Sequence, residues 1–135
     1  MHTLKIQAFP DKERAIKIIE KVYKITKQAI EDNKFPVIVG GEHSISIGSI
    51  EAVAEKFSDL SVLQFDAHTD IDGARKNFMH AHSTMARGVI EKTQANITQV
   101  GIRSCIEEDL EYAKSHDIKI FFAHNIVNQK HSFGE

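Results

Sequence analysis

A chain of 135 residues, 41% hydrophobic and 27% charged, is long enough to bury one core and has an ordinary globular composition, not that of a disordered polypeptide. Its 17 Lys and Arg against 19 Asp and Glu leave a formal net charge of -2, with the positive residues scattered, which argues against nucleic acid as a partner. A single cysteine, Cys105, excludes an intrachain disulfide, and no apolar run reaches the length of a membrane span. The expectation is one soluble, cytoplasmic domain over 1–135 with no membrane partner.

In chain order, Asp11 to Asn33 carries Ala15, Ile18, Ile19, Val22, Ile25, Ala29 and Ile30 at helical spacing, which predicts an amphipathic helix. Pro36 introduces Val37-Ile38-Val39, read as a short buried strand that ends at Gly40-Gly41. Helical character returns over Ser44 to Phe57, and Ser61 to Phe65 is a second strand ending at Asp66. A helix over Ser83 to Lys92 precedes a third strand, Ile97 to Gly101. Ile106 to Ser115 begins with the acidic group Glu107-Glu108-Asp109, as the first turn of a helix prefers, and Ile118 to Phe122 is a fourth strand whose Phe121 and Phe122 are expected in the core. Alternating strands and helices predict an α/β fold: a parallel sheet with flanking helices. Both ends look cut, since the first residues lead straight into a helix and the tail stops soon after a strand.

Ligands of open parallel sheets bind beyond the carboxyl ends of the strands, and two polar clusters fall at such ends. The first is Gly40-Gly41-Glu42-His43-Ser44; the second is Asp66-Ala67-His68-Thr69-Asp70. Asp66, His68 and Asp70 alternate, so they share one side of an extended chain, yet Asp66 and Asp70 would then stand ~13 Å apart at ~3.3 Å per residue. Metal–ligand bonds are about 2 Å long, so the chain should curl after Asp66, where Ala67 offers little steric obstacle. Carboxylate and imidazole donors suit a divalent ion of intermediate hardness such as manganese, with zinc and iron open on ligand type alone. Such residues also cap helices and hold turns, and either cluster alone would be ambiguous. Two clusters, each after an apolar strand, favour a metal site.

These residues resemble the signatures of the arginase and agmatinase family of ureohydrolases, most closely the agmatinases. Gly40 to Ser44 is similar to the first signature and Asp66 to Asp70 to the second. His82-Ser83-Thr84-Met85-Ala86-Arg87 and Gln99-Val100-Gly101-Ile102-Arg103-Ser104 extend the likeness, which covers about Pro36 to Ile120. The resemblance implies a three-layer α/β/α fold in which two manganese ions (Mn2+) hold a hydroxide that attacks a guanidinium carbon, releasing urea and an amine. It implies His43, Asp66, His68 and Asp70 as metal ligands, with Asp66 bridging and part of the catalytic set. His82 matches the proton-shuttling catalytic histidine; His80 is its rival, and spacing to Arg87 and Glu91 favours His82. Agmatine is the expected substrate, with arginine or guanidinobutyrate as alternatives, and a homo-oligomer is the expected assembly.

The sequence also departs from the family. Nothing after Ser104 matches its Asp-x-Asp pair, nor is there a counterpart of its late glutamate. Four protein ligands do not saturate two ions that each want about five or six donors. This predicts weak or single-ion binding and little turnover for a fragment lacking the second Asp cluster. A catalytically incompetent metal-binding or assembly protein of the same fold is therefore the competing expectation. Cys105 is read as a small packing residue, Arg75-Lys76 as a solvated loop, and His2, His116, His124 and His131 as surface or turn residues.

Overall fold

A computed structural model describes residues 12–73 and 80–128. The readings made for Arg75-Lys76, His2 and His131 lie outside the described residues. The first element, α1 (Lys12–Glu31), buries Ala15, Ile19, Val22 and Ile30 of the predicted stripe together with Thr26, while Ile18 and Ala29 are half-buried and Ile25 is exposed. It packs against α2 (Ile45–Ala54), and Gly48 sets how closely. A Cβ at Gly48 would overlap the carbonyl oxygen of Ile19 and stand 3.1 Å from the Tyr23 nitrogen, so only glycine lets the two backbones approach this far.

Three parallel strands follow in the order β1 (Ser61–Phe65), β2 (Asn96–Ile102), β3 (Lys119–Phe122). Their crossovers are α3 (Met85–Thr93), entered through a 3-10 turn at His82–Thr84, and α4 (Glu107–Ser115). A short helix, α5 (Ala123–Val127), comes after β3. Alternation along β1 and β2 points Gln64, Ile97 and Gln99 inward, where Ile97 joins a core of Ile19, Ile47, Ile71, Met85, Val89 and Ile118. The opposite side of β1 exposes Leu63 by 58% and Phe65 by 74%. Within β2, Gly101 at φ +91° sits at a register shift between Val100 and Ile102 and lets that strand pass close to the carbonyl of Asp66.

The strand expected at Val37-Ile38-Val39 is corrected by the structure. No described segment supplies it with a ladder, and Val37 and Val39 are 76% and 91% exposed. A β-branched run forms a strand only where a neighbour satisfies its backbone groups, and the free edge of β1 is not paired with it. Phe121 and Phe122 are half-buried, not core residues, and Phe122 stacks against His124 with ring centroids 5.6 Å apart. The acidic group does form the first turn of α4, as expected, although Asp109 turns inward and is buried. Among the described residues no helix is long and apolar enough to cross a membrane.

Candidate metal centre

Two chain segments meet at the carboxyl end of β1. Glu42 and His43 form the turn that starts α2: Ser46 N–H donates to the His43 carbonyl (3.0 Å), and the Glu42 carboxylate accepts from Ser44 N–H (2.9 Å) and from the Ser44 hydroxyl. A carboxylate at a helix N-terminus is favourably placed, so Glu42 fixes this turn and with it the ring of His43. The second segment leaves β1 at Asp66 and stays beside β2 through His68, where Ala67 O accepts from Arg103 N–H (2.9 Å) and Ser104 N–H (3.0 Å). It then curls, as a compact site requires: Asp70 adopts φ +50°, a left-handed conformation that aspartate tolerates better than most residues. The Asp70 carbonyl accepts from Ala86 and Arg87 N–H at the start of α3, which locks the curl to that helix.

The result is a group of three donors. One ligand atom each from His43, Asp66 and Asp70 lies within 4.8 Å of the others, and among the described residues this is the group that could hold a cation. His43 Nδ1 stands 2.5 Å from Asp70 Oδ2 and 3.6 Å from Asp66 Oδ2. The hydrogen bond to Asp70 raises the His43 pKa above its ordinary value; burial opposes it, and the charges of Asp66 and Glu42 reinforce it. For Asp66, burial pushes the carboxyl up, but hydrogen bonds from His68 N–H and the Gln64 side chain, with the His43 charge, outweigh it and leave the pKa lowered. Two carboxylates this close repel, and a proton on the imidazole beside them would offset part of that charge. A divalent cation would offset it more fully, and an imidazole nitrogen with two carboxylate oxygens is a donor set of the kind manganese accepts. The residues present fit such an ion.

His68 stands at the margin of this group. Its ring is 65% exposed with Nδ1 3.6 Å from Asp66 Oδ1, and it is not one of the three converging donors. His82 lies on the turn before α3, 68% exposed, with Nδ1 3.6 Å from Glu42 Oε1. A cavity of about 320 Å³ beside the group is lined by His68, Asp70, His82 and Cys105, among others; one of about 290 Å³ on its other side is lined by Glu42, His43 and Asp66. His80 is half-buried, and burial lowers its pKa. Cys105 is partly buried, and burial raises its thiol pKa, the reverse of what activates a nucleophile. His116 stacks on Tyr112 with ring centroids 3.9 Å apart, and His124 is exposed.

Sequence reasoning missed two things here. Glu42 belongs to the first motif, and only the fold shows that it holds the α2 turn and lies 3.6 Å from His82 Nδ1. Gln64 and Gln99 occupy inward positions of two apolar strands and bond to the loop between His68 and Asp70. Amides at core positions of a strand were the available signal.

The agmatinase of Bacillus subtilis (strain 168) is 34% identical over 113 residues, covering 83% of this chain and 38% of that protein. An arginase of Staphylococcus aureus is 28% identical over 123 residues, covering 81% of this chain and 41% of that protein. In three dimensions the native arginase of Bacillus caldovelox superposes with a TM-score of 0.78 at 22% identity, covering 94% of this chain and 49% of that one. The chain thus spans about two fifths of the length of these curated relatives. The sequence profile described as the arginase family matches residues 2–132, and with the fold and relatives in agreement, this chain belongs to the arginase family.

Proposed function

We propose that this chain carries part of a manganese-dependent ureohydrolase centre, and that the protein hydrolyses a guanidino compound, agmatine to putrescine and urea, as a step of polyamine biosynthesis. The observation that carries this reading is the convergence of His43, Asp66 and Asp70 donors within 4.8 Å at the strand tip. His43, Asp66 and Asp70 would hold the ions, with Asp66, which lies beside both His43 and His68, in the position the family resemblance gives to the bridging carboxylate. His68 completes the set by turning its exposed ring beside Asp66. Bound divalent ions supply activated water at neutral pH.

The remaining work falls to the chain itself. The cavity of about 320 Å³ has room for a small guanidino compound against Asp70 and His82. His82 takes up and returns protons, a task that suits an imidazole near neutral pH, and its exposed ring on that cavity favours it over half-buried His80. Glu42, 3.6 Å from His82 Nδ1, orients the ring. The agmatinase relative supports agmatine as substrate, and the arginase relative keeps arginine as the competitor. A reducing, cytoplasmic setting and a homo-oligomer belong to the same reading, supported by the single cysteine and the exposed apolar side of β1.

A urea-release assay with manganese and agmatine, arginine or guanidinobutyrate, run on this chain and on one extended to the length of its relatives, tests the proposal. Release from agmatine by the extended protein, abolished by Asp66→Asn, is the expected result. Full activity in Asp66→Asn would overturn the site, and manganese binding without urea release from either chain would favour the binding or assembly reading.

A further inference from the structure

We infer that Thr69, Gln99 and Asp109 are positioning residues for the cation site, an inference that rests on the metal centre proposed above. Thr69 stands between two residues of the ligand motif, is 2% exposed, and with Asp109 forms part of the wall of the cavity beside the three-donor group. Its hydroxyl donates to Asp109 Oδ2 at 2.9 Å, forty residues further along the chain. Its carbonyl accepts from Gln99 Nε2 at 2.6 Å. The same amide nitrogen donates to Gln64 Oε1 (2.8 Å), and Gln64 Nε2 reaches the His68 carbonyl at 3.5 Å. Side chains from β1 and β2 therefore hold consecutive carbonyls of one loop, and Asp109 of α4 holds the Thr69 side chain. Asp109 Oδ2 also lies 3.4 Å from Ile106 N–H, which ties the loop to the start of α4.

Ordinary core packing does not require this arrangement. Gln99 is fully buried at an inward strand position, where a β-branched residue would favour the strand and avoid desolvating an amide. Its amide instead reaches the loop that ends in Asp70, which sits at φ +50°, a conformation that needs its surroundings to hold it. The Asp70 carboxylate faces His43 from the residue next to Thr69. Binding geometry is productive only within about 0.5 Å, so loosening Thr69 moves a ligand out of range before it unfolds the domain. Partners of this kind change metal affinity by roughly 10–100-fold.

Calorimetric titration of the 135-residue chain with manganese chloride, alongside thermal melts in EDTA, tests the inference. Wild type should bind and Asp70→Asn should not. Thr69→Val and Gln99→Met, which keep the volume and remove the hydrogen bonds, should bind about 10-fold more weakly, and Thr69→Ser should restore the affinity. If wild type and Asp70→Asn behave alike, the metal centre is wrong and this inference falls with it. If Asp70→Asn alone loses binding, while Thr69→Val and Gln99→Met melt earlier but bind like wild type, the centre stands and the positioning role is overturned. Should neither of these fold, Thr69→Ala, which removes the hydroxyl and keeps every charge, decides: a few-fold weaker binding supports the role, and unchanged binding refutes it.

Discussion

Gly48→Ala should destabilise the domain, although the same change in an exposed helix would stabilise it. Alanine in a helix interior gains about 1 kcal/mol over glycine. Here the added Cβ would overlap the Ile19 carbonyl oxygen and lie 3.0 Å from the carbonyl carbon and 3.1 Å from the Tyr23 nitrogen. These are backbone atoms of α1, so no side-chain rotation relieves them. Carbon contacts are optimal at about 3.5–4.0 Å, so relieving the overlap with the Ile19 oxygen parts α1 and α2 by roughly 1 Å or more. Overpacking of this type costs about 1–3 kcal/mol, and a backbone clash belongs at the upper end. The net loss is then about 2 kcal/mol, or about 8 °C in Tm for a domain of this size. Urea and thermal unfolding followed by circular dichroism measure both. His43 sits on the turn five residues before Gly48, so manganese affinity should fall as well. A melting temperature equal to or above wild type would refute the tight helix crossing from which the estimate is built.

Three further outcomes are expected. His82→Asn should leave manganese affinity within about 2-fold of wild type while abolishing urea release in the extended protein, because its ring stands beside Glu42 and not beside Asp66 or Asp70; loss of binding in calorimetry would move His82 into the ligand set. His80 titrates below its ordinary value, chiefly through burial and then through the charges of Lys92 and Lys12. Its unfolded form therefore binds a proton at higher pH than its folded form: the stability is present above about pH 6.5 and lost as pH falls through the folded value. Denaturation curves at pH 7.5 and 5 should show a smaller acid loss for His80→Gln than for wild type, and identical losses would show that His80 titrates alike in both states. Leu63→Lys with Phe65→Lys should lower the mass measured by sedimentation at high concentration, since these side chains give β1 an exposed apolar face; an unchanged mass would place self-association elsewhere.

What could be learned from the residues alone was local. The stripe of α1, the bounds of β1 and the acidic start of α4 follow from periodicity, propensity and the helix dipole, which act within a few residues of sequence. Both metal-capable motifs were legible for the same reason, as each is a contiguous string after an apolar run. The need for a curl after Asp66 followed from strand dimensions, and Asp70 at φ +50° supplies it. Other features depended on what one segment meets at a distance. Val37-Ile38-Val39 has strand composition, but a ladder needs a neighbour, and composition cannot provide one. That His43, Asp66 and Asp70 converge while the ring of His68 stands aside depends on how the α2 turn meets the end of β1. The meeting is set by the close α1–α2 crossing at Gly48 and by the hydrogen bonds of Gln99, Thr69 and Asp109, partners 30 and 40 residues apart in the chain. Sequence thus determined which donors this protein owns, and tertiary structure decided which of them share a centre, because coordination depends on separations of a few ångströms that only packing between distant segments can set.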